Sequence, residues 1–262
     1  MKELKDIEKS IIKKYRKEIY SRFVRAVKDF NLICENDKIA VCISGGKDSF
    51  LLAKCMMELK RHSKVKFDLE YLVMNPGYNK ENLDKIKYNA SYLNIPITIF
   101  ETNIFAVSNE SNGKSPCYLC ARMRRGALYS KAQELGCNKI ALGHHFNDVI
   151  ETILLNILYN GTFGGMMPIL DSDNFSGMKL IRPLYYVKEK DIKSWVKNSE
   201  LEFIDCACSV TKKNLGKRKE VKKLINDLLE DNPNADINIF NSMFNVNPNT
   251  TRTIENKEKN WQ

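Results

Sequence analysis

No uninterrupted apolar stretch in this 262-residue chain reaches the ~18 residues that a membrane-spanning helix needs. Residues 1–30 mix charge throughout, which leaves no apolar core for a secretory signal. Both absences point to a cytoplasmic protein with no membrane partner. There is no internal repeat and no low-complexity segment, which argues against solenoid and fibrous architectures. Cysteine is missing from the first 33 residues and from the last 54. Eight cysteines lie between these ends, but in a reducing compartment they are not expected to form a disulfide framework. Cys34, Cys42, Cys55 and Cys137 stand singly among apolar neighbours and read as small core residues. Only two pairs remain for metal or redox chemistry, Cys117/Cys120 and Cys206/Cys208.

What is present is a core-forming chain with an excess of positive charge. Apolar residues make up 43% and charged residues 28%, enough for one large domain or one domain with appendages. The formal net charge is +10 and the pI about 9.1, which favours an anionic partner, nucleic acid being the commonest. Residues 2–29 hold ten Lys and Arg against five Asp and Glu. Ile7, Ile11, Tyr15, Ile19, Phe23, Val27 and Phe30 recur there at helical spacing, so residues 3–30 read as one amphipathic helix. Its basic face is either merely solvated or a nucleic-acid arm. A second basic run, residues 211–223, carries seven Lys and Arg and one Glu.

Between the two basic regions, apolar runs alternate with helical patterns. Residues 38–43, 67–75, 95–101, 138–145 and 179–187 read as strands, and 49–61, 80–94 and 148–161 as helices. The alternation predicts an α/β fold, a Rossmann-like parallel sheet of five strands with right-handed crossovers. An N-terminal helix and a helical C-terminal extension flank it. The chain accordingly divides into a basic helix (1–36), an α/β domain (37–187) and a basic helical region (188–262).

The first strand runs into Ser44-Gly45-Gly46-Lys47-Asp48-Ser49 and then a helix. A Walker A loop is excluded. Val41 stands where that motif needs its first glycine, and Asp48 where it needs Ser or Thr. An anion site of another kind fits. The glycines let the backbone approach closely, the helix N-terminus offers free N–H groups, and Lys47 adds a full charge. Ser44 and Ser49 contribute hydroxyls, and Asp48 can cap the helix or help hold Mg²⁺. These six residues resemble the loop of the PP-loop ATPase superfamily, of the adenine nucleotide alpha hydrolase type. The resemblance implies that Ser44, Gly45, Gly46, Lys47, Asp48 and Ser49 bind ATP, which adenylates a substrate oxygen and releases pyrophosphate. Met74, at the end of the second strand, would then lie beside the adenine.

Read alone, Cys117, Cys120, Cys206 and Cys208 suit a Cys₄ zinc site. A zinc-stabilised nucleic-acid-binding module is therefore one reading, and a redox pair at Cys117/Cys120 a weaker one. Three longer stretches point elsewhere. "FNLICENDKIAVCISGGKDS", "CYLCARMRRGALYSKAQELGCNKIALGHHFNDVIETILLNILYNG" and "IRPLYYVKEKDI" resemble, in order, the tRNA 2-thiocytidine biosynthesis (TtcA) family. The likeness runs from about Ala26 to Pro248. It implies a homodimer that carries a [4Fe–4S] cluster on Cys117, Cys120 and Cys206. The implied reaction adenylates the C2 oxygen of a cytidine in the tRNA anticodon loop and replaces it with sulfur. A cysteine desulfurase, or another sulfide or persulfide source, would donate that sulfur.

Two departures from the family pattern matter. Family members often have a further Cys three residues after the third ligand, whereas Cys208 follows Cys206 after two. In "GHHFND" (143–148) Asn147 stands where relatives commonly have Asp, so a metal role rests on Asp148. The resemblance places Gly143 and His144 at the nucleotide and makes Lys47, Asp48, Asp148 and Arg125 the catalytic candidates. Arg122, Arg124 and Arg125 would draw in RNA phosphate or stabilise charge near the adenylate. A PP-loop thiolase for another base, such as 2-thiouridine, is the alternative. The thermophilic uridine type, however, carries extra Cys pairs at both chain ends, and this chain has none there.

Overall fold

Strand β1 (Lys38–Cys42) is buried along almost its whole length, as its apolar sequence requires. Around it the computed structural model builds one sheet. Residues 2–104, 116–204, 211–247, 249 and 250 are described, with 116–121 and 211–215 as backbone only. The other strands are β2 (Asp68–Asn75), β3 (Ile97–Glu101), β4 (Lys139–Ala141), β5 (Ile169–Asp171) and β6 (Lys179–Ile181). Their order is β3-β2-β1-β4-β6-β5. The five expected strands are present and parallel. The sheet has a sixth, however, because β5 pairs antiparallel with β6 at the edge. Its three residues, two of them exposed, form no apolar run that the sequence could announce. β6 is also shorter than the run 179–187, because Pro183 has no N–H to continue the ladder.

The chain winds outward from β1 in both directions, to β2 and β3 on one side and to β4 and β6 on the other. The winding reverses between β1 and β4. Open α/β sheets bind ligands outside the carboxyl ends of their strands at such a switch point.

The helices among the described residues are α1 (Leu4–Ile12), α2 (Ser21–Asp29), α3 (Lys47–His62), α4 (Lys80–Tyr92), α5 (Pro116–Glu134), α6 (Phe146–Asn160), α7 (Glu189–Ser199), α8 (Thr211–Asp231) and α9 (Ala235–Ser242). The single helix expected at 3–30 is thus α1, a π-helical turn at Arg16–Tyr20, and α2. The reason lies in the spacing. Ile7, Ile11, Tyr15, Ile19 and Phe23 are four residues apart, and on an α-helix each such step drifts by about 40°. Wide turns cancel the drift. Tyr15 N–H donates to Ser10 O and Tyr20 N–H to Tyr15 O, each five residues back. All five side chains stay buried, in one core with Ile39 and Val41 of β1, Phe50 of α3 and Trp195 of α7.

Ala40 and Cys42 point to the opposite face, where Tyr129 and Ala132 of α5 cover them. A further cluster joins Val149, Ile150 and Ile153 of α6 to Val221 and Ile225 of α8 and Phe240 of α9. Cys42, Cys55 and Cys137 are buried as expected, but Cys34 is exposed, in the turn after Leu32 has filled the core. Among the described residues no helix is long and apolar enough to cross a membrane.

Candidate active site

β1 delivers the chain to the sheet edge, and α3 begins just beyond it. Gly45 takes φ +88°, and a Cβ there would overlap Ile204 and stand 2.8 Å from Ile86 Cγ1, so only glycine fits. Gly46 is the extended N-cap of α3. Ser49 Oγ donates to Gly46 O at 2.8 Å and accepts from the Ser44 N–H at 3.2 Å and the Ser44 hydroxyl at 3.3 Å. The two serine hydroxyls therefore hold the shape of the loop. What the loop offers an anion is the first-turn N–H groups of α3, which have no partner within the helix, and Lys47.

Lys47 Nζ lies 3.1 Å from Asp48 Oδ2. Asp48 Oδ1 is buried and has no hydrogen-bond partner among the described residues, an orphan that a cation would satisfy. No set of three or more His, Cys, Asp or Glu among those residues forms a metal cage. A Mg²⁺ held by Asp48 would take its remaining ligands from phosphate and water.

β4 leads into the second loop and α6. A Cβ on Gly143 would sit 3.0 Å from Ser49 N and 3.1 Å from the Asp48 carbonyl carbon, so the missing side chain is what lets the two loops touch. His145 is the N-cap of α6, and its N–H donates to Asp148 Oδ2 at 3.0 Å. Its Nδ1 lies 3.4 Å from that same oxygen, and its Nε2 3.8 Å from Asp48 Oδ1. The ring of His145 thus spans the two carboxylates. His144 is its half-buried neighbour, with Nδ1 closed off from solvent and without a hydrogen-bond partner among the described residues. Burial pushes its pKa down to about 4, so it is neutral at pH 7. Burial draws the Asp148 carboxyl up, but His145, His144, the His145 N–H and Arg218 outweigh it and hold it below the usual carboxylate range. Asn147 has a different task. Its Oδ1 accepts the Glu189 N–H at 2.9 Å and so satisfies the start of α7.

Several charged residues at this edge went unread in the sequence. Glu151, one turn after Asp148, is buried, and burial together with Asp148 pushes its carboxyl up. Arg218 Nε of α8 lies 3.5 Å from Glu151 Oε2. Lys47 reaches toward Glu189 Oε1 of α7, at 3.8 Å. Arg182, just past β6, is 6% exposed, and its Nε has no partner among the described residues. Burial lowers its pKa to about 10, which still leaves it charged. The one signal that could have found it is its place in the family-like stretch "IRPLYYV".

Comparison with known proteins decides what this crevice belongs to. A PP-loop domain model matches residues 16–227. The tRNA-cytidine(32) 2-sulfurtransferase of Geobacter metallireducens is 39% identical over 238 residues, which are 90% of this chain and 92% of that protein. That of Bdellovibrio bacteriovorus is 38% identical over 249 residues, 95% and 94% of the two chains. The chain belongs to the PP-loop tRNA-cytidine(32) 2-sulfurtransferase family. The U34-tRNA thiolase NcsA of Methanococcus maripaludis, solved with its [4Fe–4S] cluster, has the same fold. It superposes with a TM-score of 0.70 at 22% identity, covering 86% of this chain and 76% of that one.

Of the remaining candidates of this family member, Met74 and the three arginines lie among the described residues. Met74 is the last residue but one of β2 and is buried against Phe100, Ile104 and Met123. Arg122 and Arg125 are exposed and Arg124 half-buried on α5, and Arg125 is close enough to Arg182 to depress its pKa. The backbone of Cys117 and Cys120 lies in the first turns of α5, but their side chains, and all of Cys206 and Cys208, fall outside the described residues. Ile204 ends the preceding segment, and its N–H donates to Gly45 O at 3.3 Å. Ile204, two residues before Cys206 in the sequence, is thus held against the nucleotide loop.

Proposed function

We propose that this chain is an ATP-dependent sulfurtransferase that converts a cytidine of the tRNA anticodon loop to 2-thiocytidine. The observation that supports it best is the junction of the two loops, where Gly143 packs on the first turn of α3 and His145 lies between Asp48 and Asp148. The curated relatives carry the same activity in their name.

The C2 carbonyl of cytidine is amide-like, and its oxygen is a poor leaving group. That oxygen attacks the α-phosphorus of ATP and pyrophosphate departs. The bond from C2 to oxygen then breaks as sulfur replaces it, and AMP leaves. The first-turn N–H groups of α3 and Lys47 stabilise the charge that grows on the departing pyrophosphate. Asp48 would hold Mg²⁺, with Asp148 as the second acid of the site and His145 fixing both. Arg125 stabilises charge near the adenylate or the RNA backbone. Cys117, Cys120 and Cys206 would hold a [4Fe–4S] cluster through three thiolates, a donor set that suits iron. When bound, that cluster would supply the sulfur. Sulfide would recharge the enzyme directly, whereas persulfide sulfur from a cysteine desulfurase would do so together with two electrons from an external thiol reductant. The proposal includes a cytoplasmic homodimer, for which the exposed Ile157, Leu158 and Phe163 offer an apolar surface.

Mass spectrometry of nucleosides from tRNA of a strain lacking this gene tests the reading. Loss of 2-thiocytidine is expected. Its retention overturns the proposal, and loss of 2-thiouridine instead selects the alternative base.

Two further outcomes are expected of purified protein. Gly143→Ala should part the two loops by a few tenths of an ångström and raise the KM for ATP about tenfold. Steady-state kinetics at saturating tRNA measures this, and an unchanged KM would show the contact to be dispensable. Affinity for tRNA should fall steeply with salt, because phosphate contacts release counterions. Charge reversal at the exposed Lys219 and Lys223 of α8 should weaken all tRNAs about equally. Filter binding across a salt series checks both, and a flat salt dependence would count against the basic surfaces.

A further inference from the structure

Glu189, the first residue of α7, receives lysines from three helices. Lys222 Nζ of α8 lies 2.5 Å from its Oε2. Lys193 of α7 is 3.1 Å and Lys47 of the nucleotide loop 3.8 Å from its Oε1. Burial draws the Glu189 carboxyl up, but the hydrogen bonds from Lys222 and Lys193 overcome it and hold the pKa down to about 2. The acid is therefore ionised. Lys47 is shared with Asp48, at 3.1 Å, so Glu189 links the lysines of α7 and α8 to the loop that should hold ATP.

One turn before Lys222, Arg218 stands 3.5 Å from Glu151. Positions 218, 221, 222 and 225 share one face of α8. Val221 and Ile225 on that face are buried against α6. Arg218 and Lys222 border that buried stripe, partly exposed, with their charged ends on the carboxylates of α6 and α7. Lys219 and Lys223 are exposed.

We infer that Arg218 and Lys222 belong to the nucleotide site, where they bind the polyphosphate of ATP, while Glu151 and Glu189 serve as their resting counter-ions. This rests on the proposed ATP chemistry and adds two residues of a different helix to it. Phosphate oxygens are the ligand that basic side chains at this loop suit, and Lys47 reaches the same carboxylate as Lys222 from the nucleotide loop. Glu189 would repel phosphate, so its removal should strengthen binding where removal of a lysine weakens it.

The test uses full-length protein, a non-hydrolysable ATP analogue with Mg²⁺, and titration calorimetry without tRNA. Arg218→Gln and Lys222→Gln should each weaken the analogue about tenfold, the value of a charge-assisted hydrogen bond. Each should change the Kd for tRNA by less than about twofold, as expected of a side chain that does not meet the RNA backbone. Glu189→Gln should tighten the analogue roughly threefold, since a like charge beside the phosphates is gone; a misfolded protein would not give that gain. If Arg218→Gln and Lys222→Gln bind the analogue like the parent while Lys47→Ala does not, the inference is wrong and the nucleotide loop stands. If they lose tRNA affinity instead, they are RNA contacts and the inference falls. A parent protein that does not bind the analogue would overturn the ATP reading as well.

Discussion

Lys47→Ala protein is expected to lose ATP-dependent thiolation by a factor on the order of 10³, the scale of removing a group that stabilises charge developing in a transition state. Lys47 stands at the first position of α3, and its ammonium lies 3.1 Å from the Asp48 carboxylate. It is the one full positive charge within the loop, where the departing pyrophosphate gathers negative charge. The alanine variant should keep its fold, because the side chain is partly exposed and lies outside the core clusters. It should keep its iron and colour, because the cysteines are elsewhere in the chain, and its affinity for tRNA should be close to that of the parent. Thiolation of a tRNA transcript, with iron content measured in parallel, separates these effects. Thiolation at the parent rate would remove the PP-loop chemistry from this protein. Asp48→Asn is the companion variant. It keeps the size of the side chain but not its charge, and should raise the Mg²⁺ concentration needed for turnover.

The residues that Lys47 meets explain how far the sequence could be read. The nucleotide loop was legible because its chemistry is local, with six consecutive residues between a buried run and a helix. "GHHFND" was legible as a second loop for the same reason, although its internal roles were not. Only the fold shows that Asn147 caps α7 and that the ring of His145 lies between two carboxylates. Parallel strands were visible as apolar runs, whereas β5, with three residues and two of them exposed, had nothing to show. The stripe at Ile7, Ile11, Tyr15, Ile19 and Phe23 announced a buried face, but its steps of four also encoded the π-helical turn. Glu189, Arg218 and Lys222 stayed hidden because they meet only when α7 and α8 pack beside α6. In the sequence, "TKKNLGKRKEVKK" is a run of charge. In the fold, Val221 buries one side of it, and Arg218 and Lys222 beside it reach Glu151 of α6 and Glu189 of α7.

Cys117→Ala, Cys120→Ala and Cys206→Ala are each expected to abolish both the cluster and thiolation, whereas Cys208→Ala should keep the cluster and most of the activity. The argument is one of valence. A [4Fe–4S] cluster usually takes four thiolates, one for each iron. Delivery of sulfur requires an iron that the protein leaves open, so only three of the four paired cysteines can be ligands. The resemblance of the sequence to the family implies that the third is Cys206, with Asn214-Leu215 eight residues further on as a second point of likeness. If Cys208 filled the fourth position, the cluster would be closed and no exogenous sulfur could bind it. The measurement is anaerobic: iron and sulfide content, the visible absorption of the cluster, and thiolation of a tRNA transcript for each variant. A colourless parent with one equivalent of zinc would favour the Cys₄ reading, in which all four cysteines matter equally. An essential Cys208 beside a dispensable Cys206 would move the third ligand two residues along the chain, away from Ile204 and its hydrogen bond to Gly45.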